Sequence, residues 1–533
     1  MRAIFRGAPM SVSFTPATRT DVPAAATGTG FVARASAILL PLALLLAWTA
    51  AVRLPFYFQT DKDEFFFSII ATQWLQGGLP YVATFDIKPP GLFVIYAIAQ
   101  SLFGASQVTI KGMEIVAVAL GAYALYGLVA RHGTQRAALW VAILFPIYTL
   151  SLGGAIAVNM LLQLPFLIAG FAAALTATDD GAGRGERLVH ALLAGLAIGA
   201  AGMVKQTAIF EAVAVFAVLC LYGERGVRWR LAGLFVVGAA IPALAFALYF
   251  AAAGHFREMY EAVILLALAR SDAEVAASYG PELARYFTLP GAIEYSLLAT
   301  AVLVFLWGGA AFAILRRARI VQAFPARLLV VAGIWLVAAF AGVVAGRAIC
   351  SYYVLTMVPP LLILAAAFFC HGLEVAPGQQ TRAFVLSLVA AAVAIGFADR
   401  ENLFTPNAFL AGDYDATREV SETIRGLGLG PEDRLLVLNR GFAVYAETGA
   451  MPPGPYFHAT HLLAVFHTPS PDSLGETLAA NPRFVVVANP AIRHGAELRA
   501  RYRQALDYLA RHYRVAGAVT GARDSFTIYE FVN

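Results

Sequence analysis

Apolar stretches of roughly 20 residues, recurring almost to Ala398, constrain this chain more than any other feature. A bilayer core offers no water to a bare peptide group, so each spanning segment must satisfy its own backbone, and a helix does so. Such runs lie at 32–52, 111–130, 137–150, 159–177, 188–204, 207–222, 231–252, 295–315, 328–345, 353–370 and 383–398. They predict an all-α polytopic membrane domain of about eleven transmembrane helices. A twelfth run, Pro90–Phe103, is short for a span and is expected to lie in the outer interface. Composition agrees: 60% of residues are hydrophobic and 13% charged, against about 25% charged in soluble chains. This excludes a soluble cytosolic enzyme, a disordered chain and a disulfide scaffold. The net charge of +5 and the lack of a basic stripe argue against nucleic acid. Cys220, Cys350 and Cys370 fall in or beside apolar runs, so no disulfide framework is expected.

Arginine placement orients the spans. The first tail carries Arg2, Arg6, Arg19 and Arg34 against Asp21. If it is cytoplasmic, strict alternation of eleven spans puts Arg131 and Arg136, Arg184 and Arg187, Arg225, Arg228 and Arg230 in inner loops. The same alternation puts Arg316, Arg317, Arg319 and Arg327, and then Arg382, on that side. A span at Pro90–Phe103 would reverse most of these clusters. Residues 1–31 are expected to be a disordered cytoplasmic tail. Their rival reading is a cleaved signal peptide, but no clear small-residue cleavage site follows the first apolar run.

Beyond the spans, residues 399–533 have 13 Arg and 15 Asp plus Glu, a soluble composition. Strands are expected at 434–439, 483–489 and 525–532, and amphipathic helices at 416–427 and 496–511. The expectation is a small extracytoplasmic α/β domain that acts as scaffold or acceptor dock, without chemistry of its own.

Polar residues held against apolar spans mark a membrane active site. The densest group lies in the first outer loop, 54–110: Asp61, Lys62, Asp63 and Glu64 before the apolar run 65–75, then Gly77–Tyr81 (GGLPY), then Asp86 and Lys88-Pro89-Pro90. Carboxylates at a helix N-terminus are favoured as anions by the helix dipole, and a plain N-cap on a solvated loop explains the same residues. Only four of the 38 basic residues are lysines, Lys62, Lys88, Lys111 and Lys205, and all fall on the expected outer side. Lys205, beside Gln206 at the end of an apolar helix, suits a phosphate as a compact point charge; snorkelling to the interface is the plain alternative. Between two late spans, Arg347, Tyr352 and Tyr353 could clamp an anionic headgroup, although tyrosines are expected at that depth in any case.

These patches together resemble polytopic glycosyltransferases of the GT-C class, in particular the bacterial protein O-mannosyltransferase (family 39-like) superfamily, which includes lipid A aminoarabinose transferases. The resembling pattern is Asp63-Glu64, Gly77–Tyr81 and Lys88–Pro90, then Lys205-Gln206, then Tyr352-Tyr353 before Pro359-Pro360. It covers nearly all of residues 32–398. The resemblance implies a polyprenyl-phosphate sugar donor, an outer-face active site and inversion at the anomeric carbon. It assigns Asp63 as the catalytic acidic residue and Lys88 and Lys205 to the donor phosphate, with Arg347 beside them. Glu64, Asp86, Gln206, Tyr352 and Tyr353 become supporting or substrate-binding residues. The chain departs from many relatives by offering Asn159 where they have an acidic residue in the second outer loop. It also has Tyr352-Tyr353 and Thr356 where they carry His-Tyr and Gln.

The expected function is therefore an integral inner-membrane glycosyltransferase of a bacterium. Its partners would be a polyprenyl-phosphate-linked sugar and a glycan, lipid or protein acceptor. No cofactor is required by the sequence, and a divalent metal is unassigned. The alternative is a secondary transporter or a carrier of lipid-linked glycans without transferase activity. Broken helices in repeated halves and ionisable residues at mid-membrane would mark it; the sequence shows no convincing repeat.

Overall fold

The computed structural model describes residues 28–57, 59–60, 62–269, 285, 288–346, 351–371, 377–398, 416–438, 440–458, 462, 470, 472–489, 496–521 and 525–532. Residues 1–27 of the expected disordered tail, together with Asp61, Arg347 and Cys350, lie outside the described residues.

The membrane part is helical throughout. Its elements are α1 (Gly28–Arg53), α2 (Lys62–Leu75), α3 (Pro90–Phe103), α4 (Gln107–His132), α5 (Gln135–Leu150), α6 (Asn159–Leu162), α7 (Leu164–Ala177), α8 (Arg184–Val204), α9 (Ile209–Tyr222) and α10 (Arg228–Ala252). They continue as α11 (Phe256–Tyr260), α12 (Leu289–Ala299), α13 (Val304–Leu315), α14 (Ala326–Ala345), α15 (Val358–His371) and α16 (Pro377–Ala398). Among the described residues, seven helices are long and apolar enough to cross a membrane, and α12 with α13 forms an eighth, bent candidate. Shorter apolar helices occupy the predicted runs in α5, α9 and α16. Every predicted span is thus helical.

Sequence signals explain the starts. Ser106 Oγ accepts the Thr109 N–H at 3.1 Å to cap α4, and Thr134 Oγ1 accepts that of Ala137 at 3.3 Å to cap α5. Pro89 is the N-cap of α3 and Pro90 its first residue, where a missing N–H costs nothing. The predicted single span at 295–315 is instead folded over: α12 and α13 meet at 101° across a break. Ser296 and Thr300 lie at the break, and their hydroxyls donate back to the carbonyls of Ala292 and Ser296 at 2.7 and 2.9 Å, contacts that loosen a helix ladder slightly. Hydropathy carries no information on direction, so the bend is invisible to it.

Residues Tyr352–His371 form the hub of the bundle, with 89% of their apolar window buried, whereas Arg228–Ala252 has 22% and faces lipid. Helices α8 and α10 cross backbone to backbone. A Cβ on Gly195 or Gly199 would collide with the carbonyls of Phe235 or Ala239, and one on Gly238 with that of Leu192. Small residues at a membrane crossing allow this approach where no hydrophobic drive exists.

The soluble domain contains α17 (Thr417–Gly426), β1 (Leu435–Leu438), α18 (Ala443–Thr448), α19 (Ser473–Ala479), β2 (Phe484–Asn489), α20 (Ala496–His512), β3 (Tyr513–Thr520) and β4 (Ser525–Phe531). Its sheet has the order β1-β2-β4-β3, with β1 parallel to β2 and the other pairs antiparallel. Strand β3 was not expected from the sequence. It follows α20 without a loop, and its Ala516-Gly517-Ala518 centre lacks the branched residues that signal a strand. This domain packs on α2 and the loop after it: the Phe85 N–H donates to Pro455 O at 3.0 Å, and the Phe66 and Phe457 rings lie 5.1 Å apart.

Candidate active site

Helix α2 opens with Lys62, Asp63 and Glu64, and the two carboxylates take different environments. Glu64 is fully buried, and its Oε2 accepts the Ala157 N–H at 2.9 Å. It fastens the first turn of α2 to the loop before α6. Asp63 stays partly accessible, with 23% of its side chain exposed. Tyr352 Oη donates to Asp63 Oδ2 at 3.3 Å, and His458 Nε2 stands 3.4 Å from Oδ1.

Burial pushes the Asp63 carboxyl up, but the His458 contact and the charges of Lys62 and Lys88 outweigh it. The group is held well below the usual carboxylate range. Burial pushes His458 down, with Lys62 acting the same way and Asp63 and Asp86 opposing. Near neutrality the imidazole is therefore neutral, and its Nε2 edge lies 3.4 Å from the ionised carboxylate.

Tyr352 and Tyr353 lie on a 3-10 turn, Ser351–Met357, that leads into the buried α15. Their rings stack at 5.3 Å and 26°. Lys205 Nζ donates to Tyr353 Oη at 3.2 Å and sits 4.5 Å from that ring's centroid. Lys205 is itself the extended C-cap of α8, turned out of the helix before the 3-10 turn Gln206–Ala208. Asp63 and Lys205, 142 positions apart in sequence (205 − 63), are therefore joined through two stacked phenols.

The Lys-Pro-Pro segment is drawn to the same place. Lys88 Nζ is 3.8 Å from Asp86 Oδ1, and Ile87 N–H donates to the same oxygen at 2.7 Å. Among the described residues Asp86 Oδ2, buried, has no hydrogen-bond partner. Gln206 Nε2 donates to Ile87 O at 2.7 Å and to Val263 O at 3.0 Å, which ties this segment to the turn after α11. Tyr81 Oη donates to Lys88 O at 2.7 Å. Tyr81 holds this pose at φ 71°, a left-handed conformation that costs a non-glycine residue of order 1 kcal/mol or more. A Cβ on Gly91 would meet Met203 Cβ and O at 2.7 Å, so the start of α3 lies against the end of α8, two residues from Lys205.

Of the residues singled out from the sequence, Asp63, Asp86, Lys88, Lys205, Gln206, Tyr352 and Tyr353 are thus linked into one group. Glu64 points away from it into the protein, and Arg347 lies outside the described residues. Among the described residues no three His, Cys, Asp or Glu side chains are arranged to hold a metal ion. Sequence reasoning missed His458 and gave its domain no chemistry. A soluble-domain side chain nevertheless reaches Asp63. The only local signal is the preceding Pro452-Pro453-Gly454-Pro455 turn, which delivers Tyr456, Phe457 and His458 to α2. Also missed was a buried network behind the site. Arg53 Nη1 contacts Glu114 and Gly154 O at 2.6 Å each, and Lys111 Nζ donates to Ala155 O at 2.6 Å.

The whole architecture is similar to that of ArnT from Cupriavidus metallidurans bound to undecaprenyl phosphate. The TM-score is 0.60 at 15% identity, covering 94% of this chain and 98% of that one. The apo structure of the same ArnT gives 0.57 at 14% identity, with the same coverage. Residues 87–250 match the family model of dolichyl-phosphate-mannose-protein mannosyltransferases. The chain has the fold of these GT-C structures. Sequence comparison with curated proteins gives no match. The stretch that matches the family model holds Lys88, Lys205 and Gln206, whereas Asp63 and the tyrosine pair lie outside it.

Proposed function

We propose that this protein transfers a sugar from a polyprenyl-phosphate carrier to an acceptor hydroxyl or amine on the outer face of a bacterial cytoplasmic membrane. The observation that carries this reading is the continuous set Asp63, Tyr352, Tyr353 and Lys205, with Lys88 close enough to Asp63 to lower its pKa. It links one accessible carboxylate through two phenols to the Lys205 ammonium, with the Lys88 charge also acting on that carboxylate. The undecaprenyl phosphate bound by the ArnT of similar fold supports the same lipid class here.

The acceptor heteroatom attacks the anomeric carbon while the bond from that carbon to the phosphate oxygen breaks. The acceptor proton passes to Asp63, whose carboxylate acts as general base. The departing phosphate keeps the bonding electron pair and gains negative charge, which Lys88 and Lys205 stabilise as fixed cations. Attack opposite the leaving phosphate inverts the anomeric centre. The arginine distribution supports a cytoplasmic N-terminus, and the contact of the soluble domain with α2 supports a periplasmic C-terminal domain on the active-site face.

The test uses purified, folded protein and polyprenyl-phosphate sugars. Asp63→Asn should abolish transfer; a parental rate would overturn the assignment. Lys205→Ala should raise the KM for the donor. Solute uptake into liposomes without donor consumption would favour the transporter instead.

A further inference from the structure

The soluble domain does more than rest on the membrane part. Its segment from Pro455 to His458 runs over the first turns of α2, held by the Phe85 N–H on Pro455 O and by Tyr456 against Phe85 at 5.5 Å. The His458 ring packs on Phe66 at 4.6 Å and on Phe442 at 5.5 Å, and only 6% of its side chain is exposed. Phe66 lies three residues beyond Asp63, nearly one helical turn along the same face. A ring clamped between two phenylalanines has little freedom to rotate, so the direction of Nε2 is set by packing. That packing leaves Nε2 3.4 Å from Asp63 Oδ1, an ion-pair distance, while Tyr352 from the membrane hub donates to Oδ2. Each domain therefore holds one oxygen of the same carboxylate.

We propose that His458 is a positioning residue that fixes and ionises the Asp63 carboxylate, so that the membrane active site is completed only by the docked soluble domain. Burying a histidine costs free energy unless its nitrogens find partners, and this one is spent on the most accessible carboxylate of the site. The charged and titratable groups that face the pair are Lys62 and Asp63 on α2, Asp86 and Lys88 on the following loop, and Tyr352 on the 3-10 turn. Lys62 and Lys88 favour the Asp63 anion as well. His458 is distinguished from them by reaching the carboxylate, at 3.4 Å, from the other domain.

The inference rests on the reading of Asp63 as the base, but its test does not need the sugar. Protonated carboxyls react with dicyclohexylcarbodiimide and ionised ones do not. Labelling of Asp63 in the full-length protein, followed by peptide mass spectrometry from pH 2 to 8, reports its ionisation, the parent labelling only toward the acid end. His458→Phe keeps an aromatic ring between Phe66 and Phe442 but removes the N–H. Its labelling midpoint should rise by about one pH unit or more, while His458→Gln, which restores an N–H donor, should return most of the way to the parent. His458→Leu provides the same comparison if the phenylalanine variant does not fold. With a polyprenyl-phosphate donor, kcat at pH 7 should fall about tenfold in His458→Phe with donor KM little changed. An unchanged midpoint in folded His458→Phe or His458→Leu overturns the proposal, even if Asp63→Asn abolishes transfer. A shifted midpoint in a protein whose Asp63→Asn form still transfers sugar keeps the positioning contact and removes the general-base reading.

Discussion

Tyr352 and Asp63 meet across the membrane boundary, the phenol of one 3.3 Å from the carboxylate of the other. The tyrosine stands at the head of the most buried helix of the bundle, and the aspartate lies in the first turn of a loop helix. This contact fixes the carboxylate against the rigid hub, while stacking on Tyr353 extends the link to Lys205. Tyr352→Phe keeps the stacking and deletes only the donor. A hydrogen bond to a charged group is worth about 1.5–3 kcal/mol. The expected outcome is a kcat lowered about tenfold or more, with thermal stability near that of the parent, measured by transfer assay and by melting in detergent.

The pH profile follows from the direction of the Asp63 shift. A general base works when ionised, so the rate falls as pH drops through its pKa in the folded protein. That pKa is held below the usual carboxylate range of about 4. Transfer should therefore persist, as far as Asp63 governs it, from pH 7 down to about pH 5. A kcat that halves near pH 6 would show that a different group, or an unshielded carboxyl, limits the reaction.

Arg53 and Glu114 form a buried ion pair at 2.6 Å, with side-chain exposures of 1% and 2%. Arg53 also donates to Gly154 O at 2.6 Å and to Thr149 Oγ1 at 2.8 Å, so its removal strips several partners at once. Arg53→Met should destabilise the protein by about 1–3 kcal/mol, the cost of stripping buried partners of their donor, because Lys111 still pairs with Glu114 at 3.3 Å. Adding Glu114→Gln should deepen the loss, since it leaves the buried Lys111 ammonium without its carboxylate. Thermal unfolding in detergent would compare the two, and an Arg53→Met melting temperature equal to the parent's would refute the prediction.

Gly91 has no room for a side chain against Met203. Gly91→Val should push the start of α3 away from α8 and separate the Lys88 segment from Lys205. The donor KM should rise several-fold more than kcat falls, whereas Gly127→Ala in α4 should leave the donor KM alone, because nothing lies within 4 Å of a Cβ there. Steady-state kinetics on both variants checks the contrast.

The membrane helices were legible because apolar runs of bilayer length leave few alternatives, and α3 was legible to its ends because Pro89 and Pro90 start it. Lys88 was marked by its motif, and Lys205 by being a lysine in a chain that otherwise uses arginine. Asp63 and Glu64 looked alike in sequence; only the fold shows that one faces the site and the other faces Ala157. His458 could not be found locally, since it acquires a role only when a distant domain folds onto α2. Lys111 and Glu114 stand at i,i+3 on α4, a spacing open to the sequence, whereas the contact of Arg53 with Glu114 is a property of packing.

The glycine crossing of α8 and α10 carries a consequence for traffic. With their main chains touching at Gly195, Gly199 and Gly238, these two helices leave no gap at their crossing. A lipid-borne donor of the proposed kind would have to enter by another seam of the bundle.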